Sequence, residues 1–131
     1  MQFEQNFTNE KDSINKIHDF IEQHCIECSV DSAKTVKINI CADEIISNIV
    51  HYSKAHLISV KVSCGSNAMV VISFTDDGIP FNPLLETKEV DTSMPPEERG
   101  IGGLGVFLVK KMMKEVSYSR ESNTNIFTIA I

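Results

Sequence analysis

No stretch of about 20 apolar residues occurs, so no membrane-spanning helix is expected. The opening Met1-Gln2-Phe3-Glu4-Gln5-Asn6 carries neither a basic n-region nor an apolar h-region. No secretory signal is therefore expected, and the cytoplasm is the expected compartment. A basic excess is missing as well: 12 Lys and Arg stand against 18 Asp and Glu, a net charge of -6. Nucleic acids and anionic membranes both call for a basic face, so neither is an expected partner. Proteins and small molecules remain. A ligand with phosphates would then need a metal ion or backbone N–H groups to offset its charge. Paired cysteine spacings are also absent. Cys25 and Cys28 form a single CxxC inside a helical pattern, and Cys41 and Cys64 fall on other elements. Structural zinc takes four ligands at paired spacings, and a reducing compartment keeps thiols free. All four cysteines are expected to be thiols. There is no internal repeat and no low-complexity stretch. Nor is there a Walker-type phosphate loop, which needs a lysine and a hydroxyl residue after its last glycine.

What is present suits one packed domain over residues 1–131. Hydrophobic residues make up 42% of the chain and charged ones 23%, enough for a core and too apolar for a disordered tail. Phe3 to Thr8 reads as a short strand. Thr8 or Asn9 then caps a helix with Ile14, Ile17, Phe20, Ile21 and Cys25 on one face. His18 and His24 on that helix are expected at the surface. Asp31 caps a second helix, from about Ala33 to Tyr52, with Val36, Ile40, Ala42 or Ile45, Ile46, Ile49 and Val50 as its apolar stripe. The period then changes to two. Leu57 to Cys64 and Met69 to Thr75 form a hairpin around Gly65-Ser66-Asn67. Leu84 to Arg99 is a long polar loop, and loops of that length are usually functional. Val106 to Met113 is a third helix, and a final hairpin turns through Ser122-Asn123-Thr124. Two hairpins and three helices in this order fit an α+β two-layer sandwich.

Three segments carry candidate chemistry. In Asp43-Glu44-x-x-x-Asn48-x-x-His51-Tyr52, Glu44 and Asn48 are one helical turn apart and share a face. A carboxylate and an amide oxygen suit a hard cation that keeps waters and phosphates in its shell, and Glu44 also suits a general base. A solvated polar stripe is the alternative. In Asp76-x-Gly78-x-Pro80-Phe81, the aspartate at a strand end can accept from a ligand amine. Gly78 there permits positive φ or close approach. A plain turn is the alternative. Gly100-Ile101-Gly102-Gly103-Leu104-Gly105 opens a helix, whose first N–H groups suit phosphate. What precedes it is a loop, not a strand, which argues against a dinucleotide fingerprint.

Taken in this order, the three segments resemble the nucleotide-binding boxes of the GHKL ATPase superfamily. Asp43 to Tyr52 resembles the N box, Asp76 to Phe81 the first glycine box, and Gly100 to Gly105 the second. The resemblance runs from about Val36 to the C-terminus. It implies a Bergerat-type ATP-binding fold, a mixed, largely antiparallel sheet covered by three helices. Asp76 to Pro83, Gly103 to Met112 and Asn125 to Ile129 are most similar to the anti-sigma factor serine/threonine kinases, a single-domain branch in which Pro80 replaces a third glycine.

That resemblance implies ATP and Mg²⁺ as cofactors and a role for each position. Asn48 would hold Mg²⁺. Glu44 would orient the acceptor hydroxyl as a base, with Asp43 beside it exposed or supporting. Asp76 would accept from the adenine amino group, with Gly78 and Pro80 shaping the approach. Gly100, Gly102, Gly103, Leu104 and Gly105 would wrap the phosphates. His51 would sit near phosphate, and Arg99 would reach it from the loop Leu84 to Arg99, acting as a lid. The implied reaction moves the γ-phosphate to a serine or threonine of a STAS-type anti-anti-sigma partner. A sigma factor is the competing partner, and similar proteins form homodimers. Two alternatives stay open: a nucleotide-dependent binding module with little or no kinase activity, and an ATPase domain from a histidine-kinase-like assembly.

Overall fold

The computed structural model describes residues 1–65, 68–86 and 103–131. Strand β1 (Gln2–Thr8) leads into helices α1 (Ser13–Glu27) and α2 (Ser32–Asn48), and one π-helical turn (Ile49–Ser53) extends α2. Strands β2 (Leu57–Cys64) and β3 (Val70–Asp76) follow, then the short helix α3 (Pro83–Glu86). Helix α4 (Gly103–Met112) and strands β4 (Glu115–Glu121) and β5 (Thr124–Ala130) complete the described chain. The five strands form one sheet in the order β1-β2-β3-β5-β4. Every pairing is antiparallel, so the expected mixed sheet is antiparallel throughout.

Period-two alternation builds one apolar face. Ile58, Val60 and Val62 of β2, Val70, Ile72 and Phe74 of β3, and Phe127 and Ile129 of β5 are buried there. Helices α1, α2 and α4 cover that face, sharing one core with it through Ile17, Ile21, Ile46 and Val109. Ser122 and Asn123 both take positive φ between β4 and β5, as a tight hairpin of this kind requires.

The helix ends follow local chemistry, with one correction. Asp31 caps α2 as expected, its carboxylate accepting from Lys34 N at 2.8 Å. The residue before α1 is Asp12, not Thr8 or Asn9, because β1 keeps pairing with β2 through Thr8. The stripe of α2 also differs. Ile38, Cys41, Ala42, Ile45, Ile46 and Ile49 are buried, whereas Val36 and Ile40 are exposed. Two residues correspond to about 200° around a helix, so a stripe centred on Ile38 turns both neighbours outward.

The cysteine expectation fails for one pair. Cys28, at the end of α1, and Cys64, at the end of β2, are joined in a disulfide with Cα atoms 6.1 Å apart, and only Cys25 and Cys41 are free thiols. The pair is 36 residues apart and is brought together by the packing of α1 against the sheet. Local spacing carries no trace of it. His24 is likewise half-buried rather than on the surface, stacked on Phe3 with ring centroids 4.0 Å apart. His18 is half-buried too, reaching Asp43 Oδ1 on α2 with Nε2 at 2.9 Å.

Among the described residues, no helix is long and apolar enough to cross a membrane.

Candidate functional site

Helix α2 carries Glu44 and Asn48 one turn apart, with Glu44 against Gly105 of α4. Asn48 is buried and Glu44 is half-buried, one turn before it. Among the described residues, Glu44 Oε1 and Asn48 Oδ1 are buried without any hydrogen-bond partner. An unsatisfied buried acceptor costs about 1–3 kcal/mol, so two together mark a place waiting for a donor or a cation. Burial holds the Glu44 carboxyl above the ordinary glutamate range, and the negative charge of Asp43 adds to that rise. Gly105, in the first turns of α4, lies directly on this carboxyl. A Cβ at position 105 would overlap the Glu44 side chain. A cavity of about 450 Å³ opens beside Glu44, between Ile40, Ser47 and His51 of the N-terminal helices and Gly105 and Leu108 of α4. His51 is exposed at its mouth and donates from Nδ1 to Ser47 O at 2.8 Å.

A second, much smaller cavity of about 20 Å³ is lined by Asn48 together with Asp76, Phe81, Tyr118 and Asn125. Asp76 ends β3 and is only 3% exposed. Its Oδ1 accepts from Gly78 N at 2.9 Å and from Asn125 Nδ2 at 3.0 Å. Gly78 does not adopt positive φ. Its role is close approach, since a Cβ there would meet the backbone carbonyl and the hydroxyl of Ser53. Ile79 N donates to that same Ser53 carbonyl at 2.8 Å, tying the turn to the end of α2. Asp77 is exposed beside it. Backbone N–H groups of Leu57 and His56 hold its carboxyl below the ordinary aspartate range. Phe81 stacks on Tyr52 with ring centroids 4.9 Å apart. A π-turn is a frequent mark of functional helices, and here it carries Tyr52 and Ser53 to the Asp76 turn.

The structure thus brings Glu44, Asn48, Asp76, Gly78 and Gly105 around the end of α2. Pro80 is exposed in the same turn, and Gly103 and Leu104 open α4. Arg99, Gly100 and Gly102 lie outside the described residues. Four residues that the sequence reading missed complete the arrangement: Ser53, Tyr118, Arg120 and Asn125. Asn125 had a signal, because a polar residue at an inward position of the Asn125-Phe127-Ile129 alternation is out of place in a core. The other three had none.

The donor set suits a hard cation bound together with a ligand. Among the described residues, no cluster of three or more His, Cys, Asp or Glu could hold a metal alone. A single amide oxygen at Asn48 with a carboxylate one turn away leaves most of the shell to water and phosphate, as Mg²⁺ prefers.

The model of the histidine kinase-like ATPase domain matches residues 7–131. The chain belongs to this family. Its fold recurs in solved structures at low identity. One is the RsbU and RsbW domains of Rv1364c from Mycobacterium tuberculosis, with TM-score 0.69 and 12% identity over 99% of this chain. This chain spans only 32% of that longer one. Another is the SiaB-SiaC complex from Pseudomonas aeruginosa, with TM-score 0.71 and 12% identity, covering 98% of this chain and 88% of that one. At such identity the likeness concerns the fold. A search of curated proteins finds no match.

Proposed function

We propose that this single domain is an ATP-dependent regulatory kinase of the anti-sigma type. In this reading it transfers the γ-phosphate to a serine or threonine of a STAS-type protein. The observation that carries the reading is the pair of orphaned buried oxygens one helical turn apart, Glu44 Oε1, which lies against Gly105 of α4, and Asn48 Oδ1. A helix terminus attracts phosphate, and a core would not leave two acceptors unsatisfied without a ligand to complete them.

Each residue then has a part. Asp76 accepts from the exocyclic amine of adenine at the closed end. Asn48 offers its amide oxygen to Mg²⁺, which when bound neutralises charge on the phosphates. The N–H groups opening α4, with Gly103 and Gly105 permitting close approach, hold the phosphoryl oxygens. Glu44 faces the larger cavity, where an acceptor hydroxyl enters. Its raised affinity for a proton suits it to take the hydroxyl proton as the oxygen attacks phosphorus. The proteins of similar fold include one solved as a complex, SiaB with SiaC, which supports a protein as the second substrate. A sigma factor competing for the ATP- or ADP-loaded state, a cytoplasmic setting and a homodimer belong to the same reading.

The test is transfer of labelled γ-phosphate from ATP with Mg²⁺ to a serine of a STAS-domain protein. The kinase reading expects label on the partner, lost in Glu44→Gln. Partner binding without label, unchanged by Glu44→Ala, supports a nucleotide-dependent binding module instead. No ATP binding at all contradicts both.

A further inference from the structure

The Asp76 end contains a side chain whose hydrogen-bonding capacity is spent entirely within the protein. Asn125 Nδ2 donates to Asp76 Oδ1 at 3.0 Å and to Ile79 O at 2.8 Å. Its Oδ1 accepts from Phe81 N at 3.2 Å and takes a short hydrogen bond from the Tyr118 hydroxyl. A carboxamide has two N–H donors and two acceptor lone pairs, and all four are in use. The orientation of the amide is unambiguous. Phe81 N can only donate, whereas Ile79 O and the Asp76 carboxylate can only accept, so exchanging the oxygen and nitrogen would break these three bonds. Asn125 is 3% exposed, and a half-satisfied amide at such a site would be costly.

The bonds have a common target. Ile79 and Phe81 belong to the turn after β3, and Asp76 ends that strand. Asn125 stands opposite Asp76 in the β3–β5 register, so one side chain ties the carboxylate and both sides of Pro80 to the neighbouring strand. Arg120 of β4 adds a bond from Nη1 to Gly78 O at 2.8 Å. Among the described residues, both hydrogen bonds to the Asp76 side chain fall on Oδ1. Oδ2 is thereby the atom left to meet a ligand, and its direction is set by the two donors on its twin.

We infer that Asn125, held by Tyr118, is a positioning residue that sets base selectivity by aiming Asp76 Oδ2 at an exocyclic amine. This rests on the proposed ATP-binding reading. A carboxylate oxygen fixed in place welcomes the adenine N–H and repels the carbonyl oxygen that guanine carries at the same position. A carboxylate free to rotate loses that discrimination while the phosphate end is unchanged.

The experiment measures ATP and GTP affinity, by calorimetry with Mg²⁺, for the wild type, Asn125→Ala and Tyr118→Phe. Thermal melts are recorded alongside. The wild type is expected to prefer ATP. Asn125→Ala is expected to lower ATP affinity about tenfold and leave GTP affinity within about twofold, collapsing the preference. Tyr118→Phe removes one bond to the hub and is expected to lower the ATP:GTP ratio about threefold. A folded Asn125→Ala with the wild-type ratio overturns the inference, and so does an equal loss of both nucleotides, which marks a merely structural role. If Asn125→Ala does not fold, an unchanged ratio in Tyr118→Phe overturns it. A wild type that binds neither nucleotide contradicts the ATP-binding reading itself, a result distinct from bound ATP with unaltered selectivity.

Discussion

The two ends of the site are built on opposite terms. At the Asp76 end the polar groups bind one another: Asp76, Gly78, Ile79, Phe81, Tyr118 and Asn125 form a connected hydrogen-bond network around a cavity of about 20 Å³. On α2, Glu44 Oε1 and Asn48 Oδ1 are buried with no partner among the described residues, Glu44 beside a cavity of about 450 Å³ and Asn48, one turn on, at the edge of the smaller one. The lesson is a division of labour. The closed end is organised in advance and reads shape and hydrogen bonds. The open end holds buried acceptors with no partner, which in the proposed reading a bound nucleotide and its cation would satisfy.

The comparison can be broken first at the open end. Glu44→Gln keeps shape and removes the base. Phosphoryl transfer is expected to fall by about 10²–10⁴, with ATP affinity within about twofold. Equal losses in transfer and binding, seen in a filter assay beside calorimetry, would erase the distinction between the two ends. The next effect is a control outside both. Cys28 and Cys64 sit at the far end of the sheet from Asp76, since Cys64 pairs with Val70 at the start of β3. Closing a loop of this length contributes about 4 kcal/mol on chain-entropy grounds. Cys28→Ser should therefore lower the unfolding free energy by up to that amount in urea titrations, while nucleotide affinity stays unchanged.

A smaller effect tests the stiffness of the closed end. Gly78→Ala pushes a methyl into the Ser53 carbonyl, a backbone group that cannot step aside. A loss of roughly 1–3 kcal/mol in stability is expected. Gly105→Ala meets only the Glu44 side chain, which can rotate, so its stability loss should be the lesser of the two. The smallest effect is in pH. Glu44 holds its proton more tightly folded than unfolded, so its contribution to stability is full below the ordinary glutamate range. It is lost as pH rises through the raised value. The wild type should lose stability relative to Glu44→Gln across that window.

Much of this arrangement was legible because it is local. The Glu44–Asn48 spacing, the Asp31 cap, the alternation through Ile58, Val60 and Val62, and the turn at Ser122 and Asn123 are set by neighbours a few residues away. What escaped is made by distant partners. The Cys28–Cys64 bridge depends on how α1 lies on the sheet. The outward turn of Val36 and Ile40 depends on which stripe of α2 the strands accept. Asn125 gains its meaning only when β5 is laid beside β3, which puts an amide against a carboxylate 49 residues away. Gly78 was read as allowing positive φ or the close approach of a ligand, and the close approach the fold makes there is to Ser53 of its own chain.

The central claim is that the orphaned oxygens on α2 are where the cation and the phosphates meet the protein. Titrating ATP into the wild type and Asn48→Ala, with and without Mg²⁺, tests it most directly, with circular dichroism as the check on folding. The account predicts that Mg²⁺ strengthens ATP binding to the wild type, and that Asn48→Ala loses this Mg²⁺-dependent part while its spectrum is unchanged. An Asn48→Ala variant that keeps the full Mg²⁺ effect, or that unfolds, would contradict it.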